Sequence, residues 1–446
     1  MIYVIDEIMG RGKTSAILNM INNSSDKKKF MFVTPYLSEC DRVVEECKSK
    51  RFITPKGNPS KISELYHLLK SGENVVVTHS LFGMLYGGIF DLIKAQGYTL
   101  ILDEVMDVVK QLKFDYFDEK VLKGAFIEQD PSSHQITWVA GKEDYNGRFK
   151  DIRLACQHDC MFNMGNPDKK GIYIATFPIN VFDSFQDVYI MTYMFKGQIQ
   201  SWYYDAHGLE YKRLYVHGSP QNGLNNLYLS ESRPKNMINF HYKDLVHIVD
   251  EERLNRIGFT KKRKIIVPGS TPLRDSTLSK TWFQRDLETG GKGVHKLKNN
   301  CNTIFRKRWG DNSKLNMWTS FKTYQNHLKG PGYTKGFVPL NMRATNEFAD
   351  RTRLAYLCNR YLSVGVKAFF AMYEADVREN EYALSEMLQW IWRSAIRNGQ
   401  PINIYVRSAR MRWLLSDWLE NPDKYSEWDK GGEVDTGERL RSMPVA

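Results

Sequence analysis

The sequence predicts an α/β protein of two tandem domains, each a mostly parallel sheet flanked by helices. Short apolar, β-branched runs alternate with amphipathic helical stretches along most of the chain, which is typical of parallel sheets. Glycines cluster at about residues 197–220, and a second α/β pattern begins after them. We therefore expect a first domain at residues 1–205, a second at 206–420 and a loosely ordered tail at 421–446.

Composition narrows the class of protein further. Hydrophobic residues make up 42% of the 446 residues and charged residues 26%, as in globular proteins. No apolar run approaches the ~20 residues of a membrane span, and the six cysteines lack the spacing of a disulfide framework. We expect a cytoplasmic protein without a membrane partner. The net charge of +12 favours an anionic partner, and nucleic acid is the commonest one.

The first strand and the loop after it predict a phosphate site. The strand is expected at residues 2–5, and a helical pattern follows at residues 15–20. Glycines in such a loop let backbone N–H groups surround an anion, while the lysine reaches the phosphates and the threonine holds Mg²⁺. Glu7 stands where the full motif has its first glycine. The predicted nucleotide-binding residues are Gly10, Arg11, Gly12, Lys13, Thr14 and Ser15.

Two further strands of the first domain each end in a polar tripeptide. The strand at residues 30–33 leads into Thr34, Pro35 and Tyr36, and a helix is expected at 38–50. After a helix at 61–70, the strand at 74–77 leads into Thr78, His79 and Ser80, with a glycine-weakened helix at 81–95.

The next strand carries a pair of carboxylates. Residues 98–102 form a strongly apolar run that ends in Asp103 and Glu104. Ligands of open α/β sheets bind at the carboxyl ends of the strands. A carboxylate there can hold Mg²⁺, and its neighbour can activate the attacking water. The alternative is an acidic helix start.

Residues 113–170 are irregular and are expected to form an insertion in the first domain. Cys156, His158 and Cys160 lie within five residues, but a structural zinc site needs a fourth ligand and wider spacing. We therefore do not favour a metal site here. Strands are expected at 172–176 and 187–193.

The second domain is predicted from strands at residues 264–267, 314–319, 335–338 and 402–406 and from helices at 354–362, 379–397 and 408–419. Gln389, Arg393 and Arg397 recur every four residues and would share one face of the helix at 379–397. Opposite a nucleotide, the two arginines would stabilise the transferred phosphoryl group. Basic segments at 260–264 and 290–308 suit either a solvated loop or a nucleic-acid groove.

In this order, the motifs resemble those of the superfamily 2 helicases, in particular a phage-encoded replicative type. Residues 10–14 resemble the phosphate loop, Asp103 and Glu104 the acidic box of the DEAD/DEAH group, and Gln389 with Arg393 and Arg397 the arginine motif, although Trp392 replaces its glycine. The resemblance implies two RecA-like domains, ATP and Mg²⁺ as cofactors, single-stranded or forked DNA as the substrate, and other replication proteins as further partners.

The resemblance also implies a set of residues that contact nucleic acid or couple it to the nucleotide: Thr34, Pro35, Tyr36, Thr78, His79, Ser80, Thr192, Arg343, Thr345 and Asn346. It assigns metal binding to Thr14 and Asp103, water activation to Glu104 and charge stabilisation to Arg393 and Arg397, and it places Gln389 among the catalytic residues.

Two alternatives remain open from sequence. A terminase-type packaging motor would need several converging carboxylates in its second half, for which Asp244, Asp250 and Asp350 are candidates. A DNA-stimulated ATPase switch, such as an origin-binding or loader protein, would keep the nucleotide site and the basic surface without separating strands.

Overall fold

The computed structural model of the chain describes residues 1–85, 87–166, 170–220, 223–234, 242–255, 275–310, 312–340, 347–425 and 428. Its strands are β1 (Ile2–Asp6), β2 (Lys29–Thr34), β3 (Phe52–Ile53), β4 (Asn74–Thr78), β5 (Tyr98–Asp103), β6 (Val109–Gln111), β7 (Ile127–Gln129), β8 (Ile136–Trp138), β9 (Met161–Asn163), β10 (Tyr173–Thr176), β11 (Asp187–Thr192), β12 (Tyr211–His217), β13 (Tyr228–Ser230), β14 (Val246–Ile248), β15 (Asn316–Thr319), β16 (Arg353–Tyr356) and β17 (Ile402–Val406).

The α-helices of the described residues are α1 (Lys13–Asn22), α2 (Leu37–Glu46), α3 (Lys61–Lys70), α4 (His79–Phe82), α5 (Gly88–Gln96), α6 (Tyr116–Ala125), α7 (Lys150–Gln157), α8 (Ile199–Ala206), α9 (Glu252–Asn255), α10 (Lys280–Glu288), α11 (Lys292–Asn302), α12 (Gln325–Leu328), α13 (Val364–Met372), α14 (Glu379–Ile391) and α15 (Ala409–Glu420). None of the helices in this part of the chain combines the length and apolarity that crossing a bilayer requires.

The first domain is built on an eight-stranded sheet with the order β13-β12-β1-β11-β5-β2-β4-β3. All neighbouring strands from β12 to β3 run parallel, and only β13 is antiparallel to its neighbour. The central strands are buried on both faces, which explains their nearly continuous apolar sequences. The carboxyl ends of β1 and β5 are separated by β11 alone, so the loops after them lie close together.

The insertion of the first domain folds around a small core of its own. The strands β6, β10 and β9 form an antiparallel sheet, and β7 and β8 form a hairpin. Leu122, Ile136, Met161 and Tyr173 are buried in this core. The expected strand at 172–176 therefore exists as β10 but belongs to the insertion and not to the main sheet.

The second domain contains a four-stranded parallel sheet with the order β14-β17-β16-β15. Its core includes the fully buried tryptophans Trp318 and Trp390 and the almost fully buried Trp418. Two α/β domains with mostly parallel sheets confirm the predicted fold class of tandem RecA-like domains.

The domain boundary predicted at residues 205 and 206 is too early. Strands β12 and β13 pair with the first sheet, so that sheet continues to Ser230, and the second sheet begins at Val246. The glycine cluster that suggested a boundary instead marks loops around β12.

Two elements of the second domain differ from expectation. The helix predicted at 354–362 is wrong, because residues 353–356 form the buried strand β16 in the middle of the sheet. A short apolar run fits a buried strand and a buried helix equally well. The strand predicted at 335–338 is reduced to one parallel bridge between Trp318 and Phe337. The predicted strand at 264–267 lies outside the described residues.

The two domains are in close contact through the loop after β11. Tyr193 and Met194 belong to the core of the second domain, and Trp418 Nε1 donates a hydrogen bond to Tyr193 Oη at 2.8 Å. Further along, Gly197 packs against Glu381 of α14: a Cβ atom at Gly197 would lie 2.7 Å from the Cβ and 2.9 Å from the carbonyl carbon of Glu381.

We expect Gly197→Ala to lower the free energy of unfolding by about 1–3 kcal/mol, because the added methyl group would push α14 away from the first domain. Urea denaturation measures this change. Gly124→Ala in α6 is the control: a Cβ atom there meets no atom within 4 Å, and alanine is the better helix former. Equal effects of the two substitutions would contradict the tight interface.

Candidate functional site

The loop between β1 and α1 has the backbone that an anion-binding loop requires. Gly10 and Gly12 have φ angles of +81° and +90°, a region that glycine enters at little cost. A Cβ atom at Gly12 would also lie 2.6 Å from Leu227 Cδ1, so the position has no room for a side chain. The loop then enters α1, whose N-terminal N–H groups favour a negatively charged ligand.

Lys13 is held within this loop by backbone carbonyl groups. Its Nζ donates to the carbonyl oxygens of Glu7 at 2.5 Å and Ile8 at 3.2 Å. Burial lowers the pKa of Lys13, while the carboxylates of Glu104 and Glu7 act in the opposite direction. A partly buried ammonium group gains from a charged ligand, so a phosphate would be a favourable partner for it.

Asp103 ends β5 and lies beside one polar residue of the neighbouring strand β2 and one of helix α4. Thr34 Oγ1 donates to Asp103 Oδ2 at 3.5 Å, and His79 Nε2 lies 3.0 Å from the Asp103 carbonyl oxygen. Burial raises the pKa of Asp103 to about 7, with a further rise from the Glu104 charge. This carboxyl group is therefore poised to lose its proton when a cation arrives.

Glu104 has a strained backbone. Its φ angle of +75° lies in the left-handed region, which costs a residue with a Cβ atom about 1–2 kcal/mol. The Glu104 N–H donates to the Met191 carbonyl oxygen at 3.0 Å, and this bond holds the turn against β11. Such strain, where the surrounding structure enforces it, is common at functional positions.

The second domain contributes Gln389, Arg393 and Arg397. The prediction that all three share one helix face is wrong: α14 ends at Ile391, and Arg397 lies on a 3₁₀ turn, Ala395–Asn398. Arg393 is only 5% exposed, and its Nη1 donates to the Pro339 carbonyl oxygen at 3.4 Å. Arg397 is exposed.

These elements of both domains nevertheless line one cavity of about 410 Å³. It is lined by the predicted residues Gly10, Gly12, Lys13, Thr14, Ser15, Asp103, Glu104, Gln389, Arg393 and Arg397. Arg11 is the exception among the nucleotide-binding predictions, because its side chain is buried and does not reach the cavity. Instead, its charge acts on Glu7 and on Tyr242 of the second domain.

The chemistry of Thr14 and Asp103 fits Mg²⁺. A hydroxyl and a carboxylate are the hard oxygen ligands that this ion prefers, and it usually keeps several waters and phosphate oxygens as its other ligands. In the described part of the chain, no group of three or more His, Cys, Asp or Glu side chains could hold a metal ion. The buried thiols of Cys156 and Cys160 have pKa values that burial raises to about 12 and about 11.

A second cavity, of about 460 Å³, lies in the first domain and contains four of the residues expected at nucleic acid: Pro35, Tyr36, His79 and Ser80. Lys110 of the insertion also lines it. Thr34 and Thr192 are fully buried and do not line it, and Thr78 caps α4 by accepting a hydrogen bond from the Leu81 N–H at 3.3 Å. Arg343, Thr345 and Asn346 lie outside the described residues.

Sequence reasoning missed several residues of the first cavity: Met9, Glu39, Arg42, Glu46, Pro220 and Trp392. The three charged residues among them lie on α2, where spacing of three and four residues from Arg42 could have placed them on one face. Charged residues on such a helix are more often simply solvated, so spacing alone did not single them out.

The chain belongs to the family of YonV. It is 36% identical over 434 residues to the "SPbeta prophage-derived uncharacterized protein YonV" of Bacillus subtilis (strain 168), covering 94% of this chain and 98% of that protein. Residues 240–419 match the family described as the YonV C-terminal Rossmann-like domain. This match begins between β13 and β14, in agreement with the later domain boundary.

Two solved structures are similar over nearly the full length. One, titled "XPD_APO", has a TM-score of 0.45 and covers 94% of this chain and 95% of its own; the other, titled "Structure of S. tokodaii Xpd4", has a TM-score of 0.43 and covers 94% and 93%. Both are 10% identical to this chain, and both TM-scores are below 0.5. The fold class therefore rests on the sheet topology.

The strain at Glu104 can be measured. We expect Glu104→Gly to be about 1 kcal/mol more stable than Glu104→Ala, because only glycine relaxes at this φ angle. Urea denaturation of both variants gives the difference. At Asp107, which lies outside the left-handed region, alanine should be the more stable of the two substitutions. A more stable alanine at position 104 would contradict the strain.

Proposed function

We propose that the chain is an ATP-dependent DNA helicase or translocase of prophage origin. The observation that carries the proposal is the cavity between the domains, which joins the phosphate loop and the carboxylates of the first domain to two arginines of the second. The YonV relative is named as derived from a prophage, which agrees with a phage origin for this chain.

In this proposal, the phosphates of ATP replace the carbonyl groups that now bind Lys13. The ammonium group would exchange two neutral acceptors for anionic ones, and its buried charge would be compensated. Thr14 and Asp103 would hold Mg²⁺, which lowers the charge of the phosphates. The strained turn at Glu104 would orient its carboxylate to accept a proton from the attacking water.

Arg393 and Arg397 would supply positive charge to the transferred phosphoryl group from the second domain. Because they come from the other side of the cleft, hydrolysis would depend on how closely the domains approach one another. The cavity with Pro35, Tyr36, His79 and Ser80 would hold the DNA backbone. Asp103 connects the two sites, since His79 of the DNA side contacts its carbonyl group.

We expect Lys13→Ala to abolish ATP hydrolysis, because the phosphates lose their buried cation. The measurement is phosphate release by the purified chain. Lys94→Ala is the matched control, since Lys94 is exposed on α5 and does not line the cavity. Undiminished hydrolysis by the Lys13 variant would contradict the assignment of the site.

Arg393→Ala should retain nucleotide binding but lower kcat by about 10³-fold, the range of arginine fingers elsewhere. Arg253→Ala, at an exposed position of α9, is the control. Because Arg393 is buried, its replacement could disturb the fold, so thermal unfolding of the Arg393→Ala variant is measured as well. A folded variant with only a few-fold loss would place Arg393 outside the reaction.

The helicase and the ATPase switch are separated by two assays on the unchanged chain. For a helicase, single-stranded DNA should stimulate ATP hydrolysis, and the protein should unwind a forked duplex. Stimulation without unwinding would favour the switch. Cleavage of DNA with a divalent metal would favour the packaging motor, whose candidate residues Asp244, Asp250 and Asp350 form no metal cluster in the described part of the chain.

A further inference from the structure

Helix α2 presents a row of three charged side chains to the cavity between the domains. Glu39, Arg42 and Glu46 all line it, whereas Cys40 and Val43 on the adjacent face are buried in the core. The row therefore faces a cavity that the predicted phosphate loop also lines, and it is partly shielded from bulk solvent. No motif of the sequence drew attention to it.

Arg42 lies between the two glutamates. Its Nη1 is 2.9 Å from Glu39 Oε2, and its Nε is 3.3 Å from Glu46 Oε1. The Arg42 side chain is 37% exposed, and ion pairs of such exposure contribute little to stability. A more strongly charged acceptor in the cavity can therefore displace the glutamates without a large loss.

Arg42 lines the same cavity as Lys13 of the predicted phosphate loop and as Thr14 and Asp103. Among the residues that the structure describes, four basic side chains line the cavity, and Arg42 is the one guanidinium group of these that comes from the first domain. It belongs to the same domain as the predicted phosphate loop, whereas Arg393 and Arg397 come from the other domain.

We propose that Arg42 is a phosphate-binding residue of this site. When a nucleoside triphosphate binds, Arg42 breaks its ion pairs with Glu39 and Glu46 and binds the phosphate tail instead. The proposal rests on the proposed function of the cavity as a nucleotide site. A guanidinium group can donate two parallel hydrogen bonds to phosphate oxygens, which an ammonium group cannot do. The two glutamates hold the group in place until the nucleotide arrives.

The alternative is a purely structural ion-pair row on a helix surface. The two possibilities predict different patterns of mutation. In a structural row, Arg42→Ala loses both ion pairs and Glu46→Gln loses one, so any effect of the two substitutions on ATP affinity would have the same direction. A phosphate-binding arginine makes the pattern asymmetric, because Glu46→Gln removes only a competitor of the phosphate.

The test measures the affinity of the full chain for ATP in the presence of Mg²⁺, by calorimetry, in a Glu104→Gln background that suppresses hydrolysis. We expect Arg42→Ala to weaken ATP binding about 10–100-fold, as for the loss of hydrogen bonds to a charged group. Arg42→Lys keeps the charge but not the paired donors, so its affinity for ATP should lie between those of the background chain and the Arg42→Ala variant. Glu46→Gln should bind ATP at least as tightly as the background chain.

Arg51→Ala is the matched control, an exposed arginine of the first domain outside the cavity. Thermal unfolding of every variant monitors the fold, and alanine suits a helical position. Inorganic tripolyphosphate serves as a second probe: its affinity should fall with Arg42→Ala if phosphate is the group that Arg42 recognises.

The proposal is overturned if folded Arg42→Ala binds ATP within twofold of the background chain, or if Arg42→Ala and Glu46→Gln both weaken binding. This failure is distinct from that of the proposed function. If Lys13→Ala also leaves ATP binding unchanged, the nucleotide site itself is refuted. If Lys13→Ala removes binding and Arg42→Ala does not, only the role of Arg42 is refuted.

Discussion

The buried carboxylate of Asp6 joins the parts of the structure on which the site depends. It is the last residue of β1, immediately before the predicted phosphate loop, and it accepts hydrogen bonds from the N–H groups of Met194 at 2.7 Å and Phe195 at 3.1 Å. Trp428 Nε1 donates a third bond at 2.7 Å. The loop held in this way packs on α14, so the phosphate loop and the second domain are mechanically connected.

Burial governs the electrostatics of the cavity. It raises the pKa values of Glu7 and Asp103 and lowers that of Lys13, so each group is shifted towards its neutral form. In such a buried site, an isolated charge is costly, whereas a charge next to one of opposite sign is tolerated. A polyphosphate that arrives with a cation would supply an anion for Lys13 and a cation for Asp103 at once. The strained turn at Glu104 and the glycine-dependent loop lie at the same place, which agrees with such a ligand.

The sequence predicted the local structure of the first domain well, because its motifs are short and continuous. The strand, loop and helix around Lys13, and the strand that ends in Asp103, could be located from apolar runs and glycines. The second domain was harder. Its central strand β16 is as apolar as a buried helix, and β12 and β13 return to the first sheet after a glycine-rich stretch that suggested a boundary.

Sequence alone determined which residues carry charge, which runs are apolar, and where glycine permits a left-handed backbone. These properties are local, so they predicted the two-domain fold class and most residues of the cavity. Only the tertiary structure decided that Arg393 and Arg397 reach the cavity after α14 has ended, that Arg11 turns into the domain interface, and that Arg42 faces the phosphate loop. These placements depend on how two domains and several helices pack, and contacts between residues far apart in the chain leave no periodic pattern in the sequence.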